Sequence, residues 1–302
     1  MSKHSGYKSV RYQSDDGLTL FARDYHESLT SKTTVLCLPG LTRNSKDFET
    51  IASRLAEDRR VIAIDFRGRG KSQYAADPLT YRADMELADT VLLLRELGID
   101  RVAVIGTSRG GIVGMLLAML HADVMAGLFL NDIGPVLDSR GLLRIRSYLG
   151  VTPDYRNWTQ AVDGLKKASP GFKEMMDEDW LNFAQRVFAA DEDVPRLDYD
   201  ANLTKNFPTV KDISEGHVPD LWELFSGVGD YPLSVLRGEN SDLLSEATVR
   251  EMKRLKPQLD ATTVANRGHA PFLDEPESRD AIGRWLLRVD ENEKGRMNRP
   301  LA

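Results

Sequence analysis

The chain has one cysteine in 302 residues, so no disulfide can form within it, and the reading that fits is a reducing, cytoplasmic compartment. Cys37 lies inside the apolar run Val35-Leu36-Cys37-Leu38 and reads as a buried, inert thiol. No apolar stretch reaches the length of a membrane span, and the polar start Met1-Ser2-Lys3-His4-Ser5-Gly6 lacks the apolar segment of a signal peptide. Basic residues form no block, and 40 of them against 46 acidic ones give a net charge of -6. Neither a nucleic-acid nor a membrane partner is expected. There is no internal repeat, no low-complexity tract and no His/Cys/Asp/Glu group at metal-ligand spacing, so neither metal nor cofactor is expected.

What is present is a strand-helix alternation. Val10–Gln13 and Leu18–Ala22 flank the turn Asp15-Asp16-Gly17 and read as a hairpin. Strands follow at 33–38, 60–65, 101–105, 125–130, 233–237 and 262–265, with helices at 47–57, 81–97, 109–121, 245–255 and 276–289. The pattern predicts an eight-stranded, mostly parallel sheet flanked by helices, with an antiparallel edge. Between Gly134 and about Phe225 no strand pattern appears. Trp158, Phe172, Trp180, Phe183, Phe188 and Trp222 sit there among acidic helices. The domain reading is a core over 1–133 and 229–290, a helical cap over 134–228 inserted after the sixth strand, and a disordered tail over 291–302. A cap at that place lies over a site at the C-terminal edge of the sheet.

The chemistry points to Val102-Ala103-Val104-Ile105-Gly106-Thr107-Ser108-Arg109-Gly110-Gly111. A β-branched run enters Gly-x-Ser-x-Gly and a helix leaves it, so Ser108 stands on a sharp turn with its hydroxyl exposed. A serine needs a base, and the base needs an orienting acid. Of five histidines, His4, His26 and His121 fit surface or capping roles, and His217 belongs to the cap side. His269, just past the last strand, is on the same sheet edge as Ser108. Asp242 follows the next-to-last strand and gives the order Ser, Asp, His, so it is the expected acid. Asp132, ending the strand before the cap, is the alternative, and Glu239 reads as a turn cap. The amides of Leu41, after Pro39-Gly40, and of Arg109, at a helix N-terminus, are the expected oxyanion donors. For the Arg109 side chain, a salt bridge with a loop carboxylate is favoured over a cation on the cleft wall that selects acidic substrates. Arg67-Gly68-Arg69-Gly70-Lys71-Ser72 looks like the end of a phosphate loop, but the glycine required five positions before Gly70 is replaced by Asp65.

These motifs, in this order, resemble the α/β-hydrolase superfamily, and within it the cap-bearing esterase, lactonase and perhydrolase-like branch. The resemblance rests on Leu38-Pro39-Gly40-Leu41, Asp65 to Ser72, Gly106 to Gly110, Asp242 and Gly268-His269-Ala270-Pro271. It implies Ser108 as nucleophile, His269 as base, Asp242 as acid and Leu41 and Arg109 as oxyanion hole. Two positions depart from the family: Pro39 stands where many members have histidine, and Arg109 where many have an apolar residue. The expected reaction is hydrolysis of small or medium carboxylic esters, the partner being that small-molecule ester. The same triad also suits C–C bond hydrolysis, enol-lactone opening, perhydrolysis or acyl transfer. A non-catalytic small-molecule receptor is the remaining alternative.

Overall fold

The computed structural model describes residues 6–25, 32–191 and 193–297; His4 and His26 lie outside them. The chain opens with the hairpin β1 (Lys8–Gln13) and β2 (Thr19–Asp24), then β3 (Thr34–Leu38), α1 (Glu49–Leu55), β4 (Val61–Asp65), α2 (Ala83–Glu96), β5 (Val102–Thr107), α3 (Arg109–Leu120) and β6 (Met125–Asn131). An inserted segment follows, with α4 (Ser139–Tyr148), α5 (Trp158–Ala168), α6 (Asp177–Val187), β7 (Phe188–Asp191), β8 (Val194–Leu197), α7 (Val210–Ser214) and α8 (Trp222–Ser226). The chain then returns through β9 (Leu233–Gly238), α9 (Glu246–Leu255), β10 (Asp260–Val264) and α10 (Pro276–Met297).

Eight strands form one sheet in the order β1-β2-β4-β3-β5-β6-β9-β10. The β1–β2 and β2–β4 pairs are antiparallel and all others parallel. Successive strand side chains point to opposite faces, so an unbroken apolar run supplies two cores. On β5, Val102 and Val104 join the core with Leu117 of α3, while Ala103 and Ile105 face Trp285 and Val289 of α10. Cys37 is a free, fully buried thiol in the α10-side core, and burial pushes its pKa up.

One expectation changes and another gains a detail. The inserted segment is mainly helical but also carries β7 and β8 as a short antiparallel hairpin, and Ile213 and Phe225 are buried in the main core, with α7 packed on α4 and α8 on α3. The final helix does not stop near Val289 but runs to Met297, so 291–297 are helical and not a disordered tail. Arg101 reaches across to Glu293, its Nε 3.0 Å from Oε2, and ties that extension to the start of β5. Residues 298–302 lie outside the described part. No helix among the described residues is long and apolar enough to cross a membrane.

Candidate active site

Ser108 sits between β5 and α3 with φ 50° and ψ -114°, a conformation that non-glycine residues adopt only under strain. The flanking glycines are required by space. A Cβ on Gly110 would stand 2.0 Å from the Leu38 carbonyl oxygen, and one on Gly106 would stand 2.6 Å from that of Gly110. With both bare, β5 and α3 close tightly and the serine hydroxyl projects into a cavity.

His269, on the loop after β10, points into the same cavity. Its Nε2 is 2.9 Å from Ser108 Oγ, and its Nδ1 is 2.7 Å from Asp132 Oδ2. Asp132 is fully buried at the end of β6, also at positive φ, 53°. Its carboxylate accepts further bonds from Gly238 N–H at 2.8 Å and Ser241 Oγ at 2.6 Å. Among the described residues no group of three or more His, Cys, Asp or Glu could hold a metal ion.

Here the structure corrects the expected acid. Asp242 does not reach His269; Arg144 of α4 takes both its oxygens, Nε to Oδ2 at 2.5 Å and Nη2 to Oδ1 at 2.8 Å. The loop after β9 turns Ser241 toward Asp132 and carries Asp242, one residue on, toward α4. Burial works against the Asp242 charge, but the hydrogen bonds and charge of Arg144 outweigh it and hold the carboxyl below its ordinary value. Glu239 accepts from Asn266 N–H at 2.9 Å and bridges the β9 and β10 loops. His217 is exposed beside Glu215.

Leu41 lines the cavity, and a Cβ on the preceding Gly40 would be 3.8 Å from Ser108 Cβ. The Arg109 amide is the first of α3. The Arg109 side chain turns away from the cleft and donates from Nε to Glu86 Oε2 at 2.6 Å. That is the favoured salt bridge, though its partner lies on helix α2 and not on a loop. Three arginines do line the cavity, Arg43, Arg144 and Arg186. Each is paired, with Asp47, Asp242 and Asp274 respectively. Tyr148, Phe183 and Tyr199 supply much of the remaining wall of a cavity of about 290 Å³.

Sequence reasoning passed over Asn131 and Ser241. Asn131 Nδ2 donates to Pro271 O at 2.9 Å and to Thr107 Oγ1 at 3.1 Å, fastening the histidine loop to the ends of β5 and β6. The available signal was position alone: Asn131 directly precedes one candidate acid and Ser241 the other.

A profile of the alpha/beta hydrolase family matches residues 35–279. A solved alpha/beta hydrolase from Novosphingobium aromaticivorans is 42% identical, with a TM-score of 0.86 over 93% of this chain and 98% of that one. The 3-hydroxybutyrate-oligomer hydrolase of Cupriavidus necator is 33% identical over 83% of this chain and 88% of its own length. The mouse sn-1-specific diacylglycerol lipase ABHD11 is 28% identical over 83% and 80%.

Proposed function

This chain belongs to the alpha/beta hydrolase family, and from that premise we propose that it is a serine hydrolase cleaving carboxylic esters of small or medium acyl groups through an acyl-enzyme. The observation that carries this is the unbroken chain of contacts from Ser108 Oγ to His269 at 2.9 Å and on to buried Asp132 at 2.7 Å. Asp132 accepts a hydrogen bond from Nδ1–H, which keeps the proton on Nδ1 and leaves Nε2 free to take the proton of Ser108 as its oxygen attacks the ester carbonyl. The amides of Leu41 and Arg109 hold the tetrahedral oxyanion. His269 then passes its proton to the leaving alcohol, and water repeats the attack on the acyl-enzyme. Asp132, not Asp242, is the acid of this scheme.

The aromatic wall suits an acyl chain of modest length. The name of the Cupriavidus necator relative adds 3-hydroxybutyrate oligomers to the esters worth testing. The experiment is a panel of p-nitrophenyl esters, 3-hydroxybutyrate oligomers and lactones, run on wild type and Ser108→Ala, with fluorophosphonate labelling of each. Labelling of wild type alone, and a loss of activity approaching about 10⁶-fold in Ser108→Ala, is the expected result. Ester hydrolysis that survives in Ser108→Ala overturns the reading.

A further inference from the structure

Behind the site, both residues assigned to the oxyanion connect to one buried carboxylate. Glu86 of α2 is fully buried between two guanidinium groups. Its Oε1 lies 2.8 Å from Arg69 Nη1, and its Oε2 accepts from Arg109 Nε at 2.6 Å. Arg69 is fully buried too, and from Nε it donates to the carbonyl of Leu41 at 2.8 Å. Its Nη1 also donates to Arg67 O at 2.7 Å. The peptide on the other side of Leu41 is fastened as well, because Arg43 N–H donates to Gly40 O at 3.1 Å. An amide's C=O and N–H point in opposite directions, so this bond helps set where the Leu41 N–H aims. Both peptide planes flanking the Leu41 Cα are thereby held, the second of them by a residue outside the cleft, Arg69.

Fold stability alone does not account for such a group. A buried ion network is commonly matched or bettered by well-packed apolar side chains, whereas an amide that stabilises a transition state must be fixed before the reaction begins. Neither residue faces the cavity, which excludes direct contact with substrate.

We infer that Arg69 and Glu86 are positioning residues for the reaction: Arg69 fixes the Leu41 segment at the oxyanion, and Glu86 fixes Arg69 while holding the Arg109 side chain out of the cleft. This rests on the reading of Leu41 as an oxyanion donor. The functional part of Arg69 is its fork, since one nitrogen serves Leu41 and another serves Glu86. A lysine has a single nitrogen on a flexible stem; it can keep a charge opposite Glu86 but cannot hold both partners.

The test is Arg69→Lys, assayed with a short-chain p-nitrophenyl ester and with an alkylboronic acid, which forms a tetrahedral adduct on the serine. Removing an oxyanion donor outright costs about 10² to 10³ in kcat, and misplacing one costs less, so a fall of at least about tenfold is expected. KM should stay within about threefold, because ground-state binding is not altered. Boronate affinity should fall by the same factor as kcat/KM. A merely structural cation would be rescued by lysine, so wild-type kcat and boronate affinity in Arg69→Lys overturn the inference. A loss of kcat with unchanged boronate affinity overturns it equally. If Arg69→Lys does not fold, Arg69→Met carries the same readouts, since it leaves Glu86 and Arg109 as a balanced pair. Ser108→Ala, run alongside, separates the failures. Hydrolysis surviving without Ser108 takes down the functional reading and this inference together, whereas a dead Ser108→Ala beside an unaffected Arg69→Lys removes only the positioning role.

Discussion

Replacing Asp132 with asparagine changes one oxygen to an amide nitrogen, and the hydrogen bonds around it dictate the consequence. Gly238 N–H is a donor to Oδ1 and cannot change roles, so the amide oxygen must stay there and Nδ2 takes the place of Oδ2. That position faces His269 Nδ1 and Ser241 Oγ. Ser241 Oγ already accepts from Leu243 N–H at 3.3 Å and Leu244 N–H at 3.1 Å, so it takes one of the amide protons only by giving up the longer of these bonds, a cost the fold can bear. The other amide proton points at Nδ1 and forces the imidazole into the tautomer with its proton on Nε2. Ser108, 2.9 Å away, then faces a donor where it needs an acceptor. The same tautomer error in a well-studied serine protease lowers kcat about 10⁴-fold, or ~5.4 kcal/mol of barrier, and that magnitude is expected here. Asp242→Asn weakens the contact with Arg144, with both side chains partly exposed, and removes a charge that acts on His269 through space without a hydrogen bond to it. It should leave kcat within about threefold and cost about 1 kcal/mol of stability. Steady-state hydrolysis of a p-nitrophenyl ester and urea unfolding of both variants decide the matter. Asp132→Asn within tenfold of wild type, or Asp242→Asn losing as much as Asp132→Asn, would refute the assignment of the acid.

Glycines at two sites should respond in opposite directions. Gly110→Ala drives a Cβ to 2.0 Å from the backbone of β3 and should cost more than about 3 kcal/mol or abolish folding. Gly283→Ala, on the exposed face of α10 with no atom within 4 Å of the added Cβ, should add about 0.5–1 kcal/mol. Chemical denaturation measures both, and equal effects would sink the packing argument. The Asp242–Arg144 pair predicts a pH dependence. The folded pKa of Asp242 lies below its ordinary 3.8, so the stabilisation is complete above that value and is lost as pH falls through it toward the folded pKa. The stability gap between wild type and Asp242→Asn should therefore close on acidification below about pH 4; a gap that stays constant down to pH 3 would contradict it.

Ser108 and His269 were legible because the features that place them are local. A β-branched run fixes each strand, the chain leaves at its C-terminal end, and the residue on that loop lies on the site edge. The acid was ambiguous for a topological reason. In the sheet order β5-β6-β9-β10, both Asp132 and Asp242 follow strands lying between the serine's strand and the histidine's. Both also fall between Ser108 and His269 in sequence. Side-chain direction separates them, and it depends on the left-handed backbone at Asp132 and on Arg144, 98 residues before Asp242. Neither feature leaves a trace in local composition. The β7–β8 hairpin was missed because each strand has four residues and one contains Pro195, too short for a period-2 signal and demoted by the proline. The last helix was ended early because Asp290 to Arg296 is charged, and its support, Arg101, is distant in sequence.

Moving the acid to β6 gives the loop after β9 a different task. Gly238 N–H and Ser241 Oγ hold the carboxylate of Asp132, and Ser241 Oγ also accepts from Leu244 N–H at 3.1 Å. The next residue, Asp242, binds Arg144 through its side chain and accepts from Gly141 N–H at 2.9 Å through its carbonyl. Gly141 lets α4 approach this closely, since a Cβ there would stand 2.7 Å from that carbonyl oxygen. Within five residues, then, one loop fixes the group that orients His269 and the helix that brings Arg144 and Tyr148 to the cavity wall. A displacement of α4 is transmitted to this loop, because Gly141 N–H is bonded to the carbonyl of Asp242, the residue that follows Ser241. The geometry of the acid and the shape of the acyl cavity are therefore set by the same short segment of chain.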